Sequence, residues 1–209
     1  MILKAIQKIR KPHNSKINAY FRNQHTTKQR FTETMDEITS IEQLLKLLPD
    51  CSEKEFVSLA RRLTIPVEAY SPYMHFKPEH YTRNCISRSK DYELLLLCWE
   101  EGQETALHGH EGEECWVKVL DGKIKEELVV ADPDTGALKT ERIIELESGD
   151  ISYMTDEIGF HSLHNIGENR SMSLHLYVDP IEQCKVYNDD REAFVNKKLS
   201  YHSYEGKVL

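Results

Sequence analysis

The sequence predicts a mainly β chain, an antiparallel barrel or sandwich with two or three N-terminal helices packed outside it. Three observations carry that expectation. From Tyr81 onward, runs rich in β-branched and aromatic residues recur at roughly ten-residue intervals. Turn residues divide them: DG at 121–122, DPDTG at 132–136, SGD at 148–150 and IGE at 166–168. No helical pattern long enough for a crossover lies between the runs, which disfavours a parallel βαβ sheet.

Taken in order, residues 1–35 form a basic arm, flexible or targeting, ahead of a single domain at 36–209. Ile2, Leu3, Ile6 and Ile9 fit one helical face, as an organelle-targeting segment requires, and mitochondrial targeting stands beside the simpler reading of a solvated tail. Two capping-box spacings then announce helices. Ser40 with Gln43 opens IEQLLKLL, which Pro49 stops, and Ser52 with Glu55 opens EKEFVSLARRL, which Pro66 stops. In the second, Phe56, Leu59, Ala60 and Leu63 share a face. The six apolar residues Leu94 to Trp99 read as a buried strand. WVKVL-DG-KIKEELVV gives the strongest hairpin signal in the chain, two strand-like runs about a tight two-residue turn.

Charge is divided unevenly. Eight of the 27 basic residues fall within residues 1–32 and no acid does, leaving 19 bases against all 35 acids in the rest. So acidic a body repels phosphates, and no nucleic-acid partner is expected. No apolar run approaches the length of a membrane span, so no membrane partner is expected either. The five cysteines are odd in number, irregularly spaced and without a CxxC pair, which points to a reducing compartment. A cytoplasmic monomer is the expectation.

The chemistry concentrates around HGHEGEECW, residues 108–116. On a strand, His108 and His110 project from the same face toward one ion. Imidazole suits iron, copper, zinc and nickel, so the pair does not name the metal. Glu114 and Cys115 follow side by side, and both compete to complete the site. Downstream, His161 and His164 compete for the third ligand position. Lying three residues apart, they face opposite sides of a strand, and the spacing to Asn165 favours His161. Ser173, His175 and Tyr177 recur with period two and so share one strand face. Buried there without partners, such groups would each cost ~1–3 kcal/mol.

These pieces form a larger frame. Gly102, His108-x-His110, Cys115 and Gly122 are followed by Gly149 and His161-x-x-x-Asn165. The frame resembles the two-part signature of the cupin superfamily, small antiparallel jelly-roll barrels with a metal inside. The second part departs from the usual pattern. Its proline is missing, with Thr155 nearby, and the spacing from glycine to histidine is one residue longer.

Six motifs in order, YTRN (81–84), LCWEEG (97–102), HGHEGEEC (108–115), IGFHSLHN (158–165), SLHLYVDPIEQC (173–184) and YHSYEG (201–206), resemble the cysteine dioxygenases. The match covers roughly residues 38–206. The resemblance implies a non-haem Fe(II) bound by His108, His110 and His161. It implies O2 as co-substrate and free L-cysteine oxidised to cysteine sulfinic acid, on the catabolic route to hypotaurine and taurine. It puts Cys115 where cupins carry a carboxylate ligand, with a thioether joining Cys115 to Tyr177. Arg83 then anchors the substrate carboxylate through its planar fork, and Tyr81 helps position both. Tyr177, with His175 and Ser173, orients substrate and oxygen, and Cys184 stands near the mouth of the site. Two other readings remain: a sister enzyme for 3-mercaptopropionate or a similar thiol, and a metal-binding cupin without catalysis.

Overall fold

Strand β2 (Tyr92–Trp99) is buried along its whole length, and its two faces have different neighbours. Leu94, Leu96 and Cys98 face the helices, while Leu95, Leu97 and Trp99 face the barrel interior. That double burial explains why the sequence reads there as a continuous apolar run instead of alternating. Each leucine so buried contributes roughly 1.5–3 kcal/mol.

The computed structural model describes residues 36–51, 53–110, 113–155 and 158–209, with only the backbone of Glu53 and Lys54. The basic arm and the Ser52 cap lie outside the described residues. Helix α1 (Ile41–Leu47) and helix α2 (Glu53–Arg62) precede the strands, with 3-10 turns at Leu48–Asp50 and Val67–Tyr73. Ser40 caps α1 as its spacing predicts, accepting from the Gln43 amide, but the Gln43 side chain accepts from the amide of Thr39, not of Ser40. Phe56, Leu59, Ala60 and Leu63 do share the buried face of α2. Among the described residues, no helix is long and apolar enough to cross a membrane.

The remaining strands, in chain order, are β1 (Thr82–Arg88), β2, β3 (Cys115–Asp121), β4 (Lys123–Ala131), β5 (Leu138–Glu147), β6 (Ile151–Met154), β7 (Phe160–Asn165), β8 (Ser171–Val178), β9 (Gln183–Asn188), β10 (Ala193–Lys198), β11 (Ser203–Tyr204) and β12 (Lys207–Val208). One sheet runs β12-β11-β1-β2-β8-β3-β6, and a second runs β5-β4-β7. Residues 104–108 run beside β7 through bridges at Glu104 and His108. His108 also bridges Val186 of the β9-β10 hairpin, so this segment stitches that hairpin to the second sheet. The result is the mainly β jelly roll that the sequence predicts, antiparallel apart from the parallel β1–β11 pair, with its helices outside.

The WVKVL-DG-KIKEELVV hairpin does not form. β3 pairs with β8 and β6, and β4 pairs with β5 and β7. Asp121–Gly122 is instead the corner at which the chain leaves one sheet for the other. Gly122 has φ +81, and a Cβ there would overlap Ser171. The same dipeptide suits a hairpin and a corner; both edges of β3 were already claimed by other strands.

Candidate metal centre

The two histidines of HGH are not on a regular strand. His108 makes only isolated bridges, exchanging backbone bonds of 2.9 Å with His161, and the chain leaves the ladder at Gly109, whose amide donates to the carbonyl of Lys185. Even so, a ligand nitrogen from each of His108, His110 and His161 lies within 4.8 Å of the others, a group that could hold a metal ion. His161 enters this group and His164 does not. His164 points to the other side of β7, between Glu104 at 2.6 Å and Ser162 at 2.8 Å. Glu114 stays outside too; its carbonyl accepts from Val178.

Hydrogen-bond partners fix the ring tautomers. His108 Nδ1 lies 2.9 Å from the carbonyl of Ala106, and His161 Nδ1 lies 2.7 Å from Glu126 Oε1. Both acceptors require a proton on Nδ1, leaving each Nε2 with an open lone pair. Burial pushes His108 down to about 3 and His110 well below its ordinary value, so both are neutral. His161 Nε2 and His110 Nε2 stand 3.1 Å apart. Two ligands each ~2 Å from a common ion and near a right angle have that separation. Three imidazoles converging in a buried site, His108 and His110 held neutral by burial, therefore fit a divalent cation.

Glu126 escaped sequence reasoning. Its β4 position is in phase with Ile124 and Leu128, which turns it inward, and that periodicity was the available signal. Burial works to raise its carboxyl, but bonds from His161 and Ser152 hold it below the ordinary range. A Glu126→Gln change is expected to weaken divalent-metal affinity about 10–100-fold, read by competition with a chelating dye. Unchanged affinity would remove Glu126 from this role.

Behind the histidines lies the inner face of β8. Trp99 Nε1, a pure donor, gives its proton to Ser173 Oγ at 2.9 Å, and Ser173 Oγ is hydrogen-bonded with His175 Nε2 at 2.8 Å. His175 is kept neutral by burial, and burial, then Cys115, hold Tyr177 well above its usual range as a protonated phenol. The His110 ring meets Tyr177 edge to face at 5.5 Å. Cys115 and Tyr177 are direct cross-strand partners between β3 and β8, both buried. Such neighbours on one face have Cβ atoms about 4.5–5.5 Å apart, within reach of a sulfur-to-ring bond.

One pocket joins these groups: His108, His161, His175 and Tyr177 line it together with Arg83 and Tyr81. Arg83, on β1, is mostly buried. Its Nη2 lies 3.5 Å from Glu93, and its Nε is buried without a partner. Tyr81 stacks on Trp99 with centroids 4.7 Å apart. Cys184, on β9, is buried and lines the same pocket. LCWEEG and YHSYEG contain Trp99 and Tyr201 without giving either a role, and Glu93 lies outside every motif.

The profile of a family described as Cysteine dioxygenase type I matches residues 29–190. Among similar curated proteins, cysteine dioxygenase type 1 of Homo sapiens is 34% identical over 144 residues, covering 66% of this chain and 70% of that one. Cysteine dioxygenase type 1 of Danio rerio is 26% identical over 188 residues, covering 84% and 92%. Among solved structures, a double-stranded β-helix protein from Klebsiella pneumoniae aligns with TM-score 0.44 and 15% identity, over 62% of this chain and 94% of that one. That likeness is too distant to bear on function.

Proposed function

Because the chain belongs to the cysteine dioxygenase type I family and is thus an oxidoreductase of the dioxygenase kind, we propose that it converts free L-cysteine and O2 to cysteine sulfinic acid. The metal is Fe(II), held by His108, His110 and His161. One observation carries the reading: three imidazoles converge, two of them, His108 and His161, line the pocket that also holds Arg83, and among the described residues no carboxylate belongs to the metal group. A site of neutral ligands keeps the ion's full charge available to an anionic thiolate. The bound ferrous ion supplies the Lewis acidity that takes the thiol as thiolate and the electrons that activate O2.

The protein's residues position and insulate the reaction. Arg83 offers its unpartnered Nε and the rest of its fork to the substrate carboxylate. Tyr81, braced on Trp99, bounds that end of the pocket. Tyr177 keeps its proton and so donates a hydrogen bond into the pocket, while Trp99, Ser173 and His175 hold their order behind it. Both oxygen atoms end on sulfur and the thiol proton is released, so cysteine and O2 balance sulfinate and H+. The product feeds the hypotaurine and taurine route. The basic arm at 1–35 remains proposed as a tail or targeting segment, and the body at 36–209 as one cytoplasmic, monomeric enzyme domain.

A thioether between Cys115 Sγ and a Tyr177 ring carbon belongs to the same proposal. Its formation removes the thiol hydrogen and one ring hydrogen, with two electrons passing to O2. Mass spectrometry of peptides from protein turned over with iron and cysteine is expected to show the Cys115 and Tyr177 segments joined and lighter by two hydrogens. Separate, unmodified peptides would sink the crosslink while leaving the metal site standing. The activity is tested by oxygen uptake of iron-loaded protein across cysteine, cysteamine and 3-mercaptopropionate. Sulfinate formed chiefly from cysteine is expected; preference for 3-mercaptopropionate would assign the sister activity, and no uptake with any thiol a binding role.

A further inference from the structure

Beside Arg83 the barrel holds an acid to which the reaction above gives no part. Glu93 is in phase with Leu95, Leu97 and Trp99 on β2, so its side chain enters the interior, where it is fully buried. It stands opposite Tyr177 in the ladder, with Cys115 on the next strand. One carboxylate oxygen lies 3.5 Å from Arg83 Nη2, and the other accepts a hydrogen bond from the Tyr201 hydroxyl. The Arg83 guanidinium also lies 5.9 Å from the centroid of the Tyr201 ring. Arg88, across the ladder from Glu93, is ion-paired with Glu182 at 3.2 Å.

We propose that Glu93 is the counter-ion that sets how strongly Arg83 selects thiols carrying a carboxylate, and that Tyr201 restrains Glu93 from occupying the fork. The inference rests on Arg83 being the carboxylate anchor. A guanidinium has five N–H donors, and one long contact to Glu93 leaves the fork open to a second anion. The charge it presents is nonetheless already balanced. An incoming carboxylate meets an ion pair, and it feels the repulsion of Glu93 across a few ångströms of low-dielectric interior. A thiol without a carboxylate leaves the pair undisturbed. Glu93 therefore narrows the affinity gap between the two ligand classes. Tyr201 draws on the same carboxylate from the other side, so removing its hydroxyl commits Glu93 more fully to Arg83.

Cysteine and cysteamine share the sulfur and the amine and differ in the carboxylate. Anaerobic calorimetric titration of the iron-loaded protein with each gives the ratio of their dissociation constants without turnover. Glu93→Gln is expected to raise the preference for cysteine about fivefold to tenfold. Tyr201→Phe is expected to lower it about twofold to threefold, since a single neutral donor is lost. A merely structural role would shift both variants in the same direction, or weaken both ligands alike. A fall or no change in Glu93→Gln overturns the proposal, and so does a rise or no change in Tyr201→Phe. Should Glu93→Gln fail to fold, Tyr201→Phe alone decides. If Arg83→Gln leaves the preference intact, the anchor reading itself fails. If Arg83→Gln abolishes the preference while the other variants do not move it as stated, only the counter-ion assignment fails.

Discussion

His161→Ala is expected to lower cysteine-dependent oxygen uptake by at least about a thousandfold, the several kcal/mol that a correctly held metal contributes to the barrier. The loss is double. His161 supplies one of three converging nitrogens, and it also occupies the Glu126 carboxylate, which would otherwise turn toward the vacated position. Iron content measured on the purified variant is expected to fall in parallel. His164→Ala is the matched control, because that ring points away from the centre toward Glu104 and Ser162. It is expected to keep iron content and uptake within about twofold, as changes away from buried networks generally do. A result in which His164→Ala is the inactive variant would reverse the assignment of the third ligand.

Arg83→Gln is expected to raise the KM for cysteine about thirtyfold or more, corresponding to the ~2–5 kcal/mol usually lost when a buried charge pair with a ligand is truncated. The kcat is expected to change less, since the carboxylate lies away from the sulfur at which bonds form. The change also strips Glu93 of its cation while leaving it the Tyr201 hydroxyl, and breaking a buried charge pair in this way costs up to about 3–5 kcal/mol of stability. The melting temperature is therefore expected to drop, and kinetics belong well below it. An unchanged KM would take Arg83 out of substrate binding, whatever the stability.

Much of this site was legible because strand periodicity survives into the fold. Ser173, His175 and Tyr177 share the inner face of β8 as their period-two spacing requires, and Met172, Leu174 and Leu176 between them face the helices. Strand parity likewise said that only one of His161 and His164 could enter the metal group, and the spacing to Asn165 pointed to His161, which does enter it. Other features were illegible for physical reasons. His108 and His110 converge from an irregular segment, so the strand argument reached a converging pair through the wrong local geometry. The Asp121–Gly122 corner has the local chemistry of a hairpin turn, and only the distant partner β8 decides that β3 and β4 separate. Glu93 looks like a solvated acid until β2 is known to be covered on both sides, and Glu126 until the inner face of β4 is identified. Tyr201 opens the YHSYEG motif, but its role was not legible because its partner Glu93 lies 108 residues away.

In the proposed reaction the three-histidine centre adds both atoms of one O2 to the sulfur of free cysteine. Iron-loaded protein given L-cysteine under 18O2 tests it most directly, with mass spectrometry of the small-molecule product. Cysteine sulfinate carrying two labelled oxygens is expected, and its formation should cease when iron is removed by chelation. Product with one label, cystine as the principal product, or sulfinate formation undiminished in His161→Ala would contradict it.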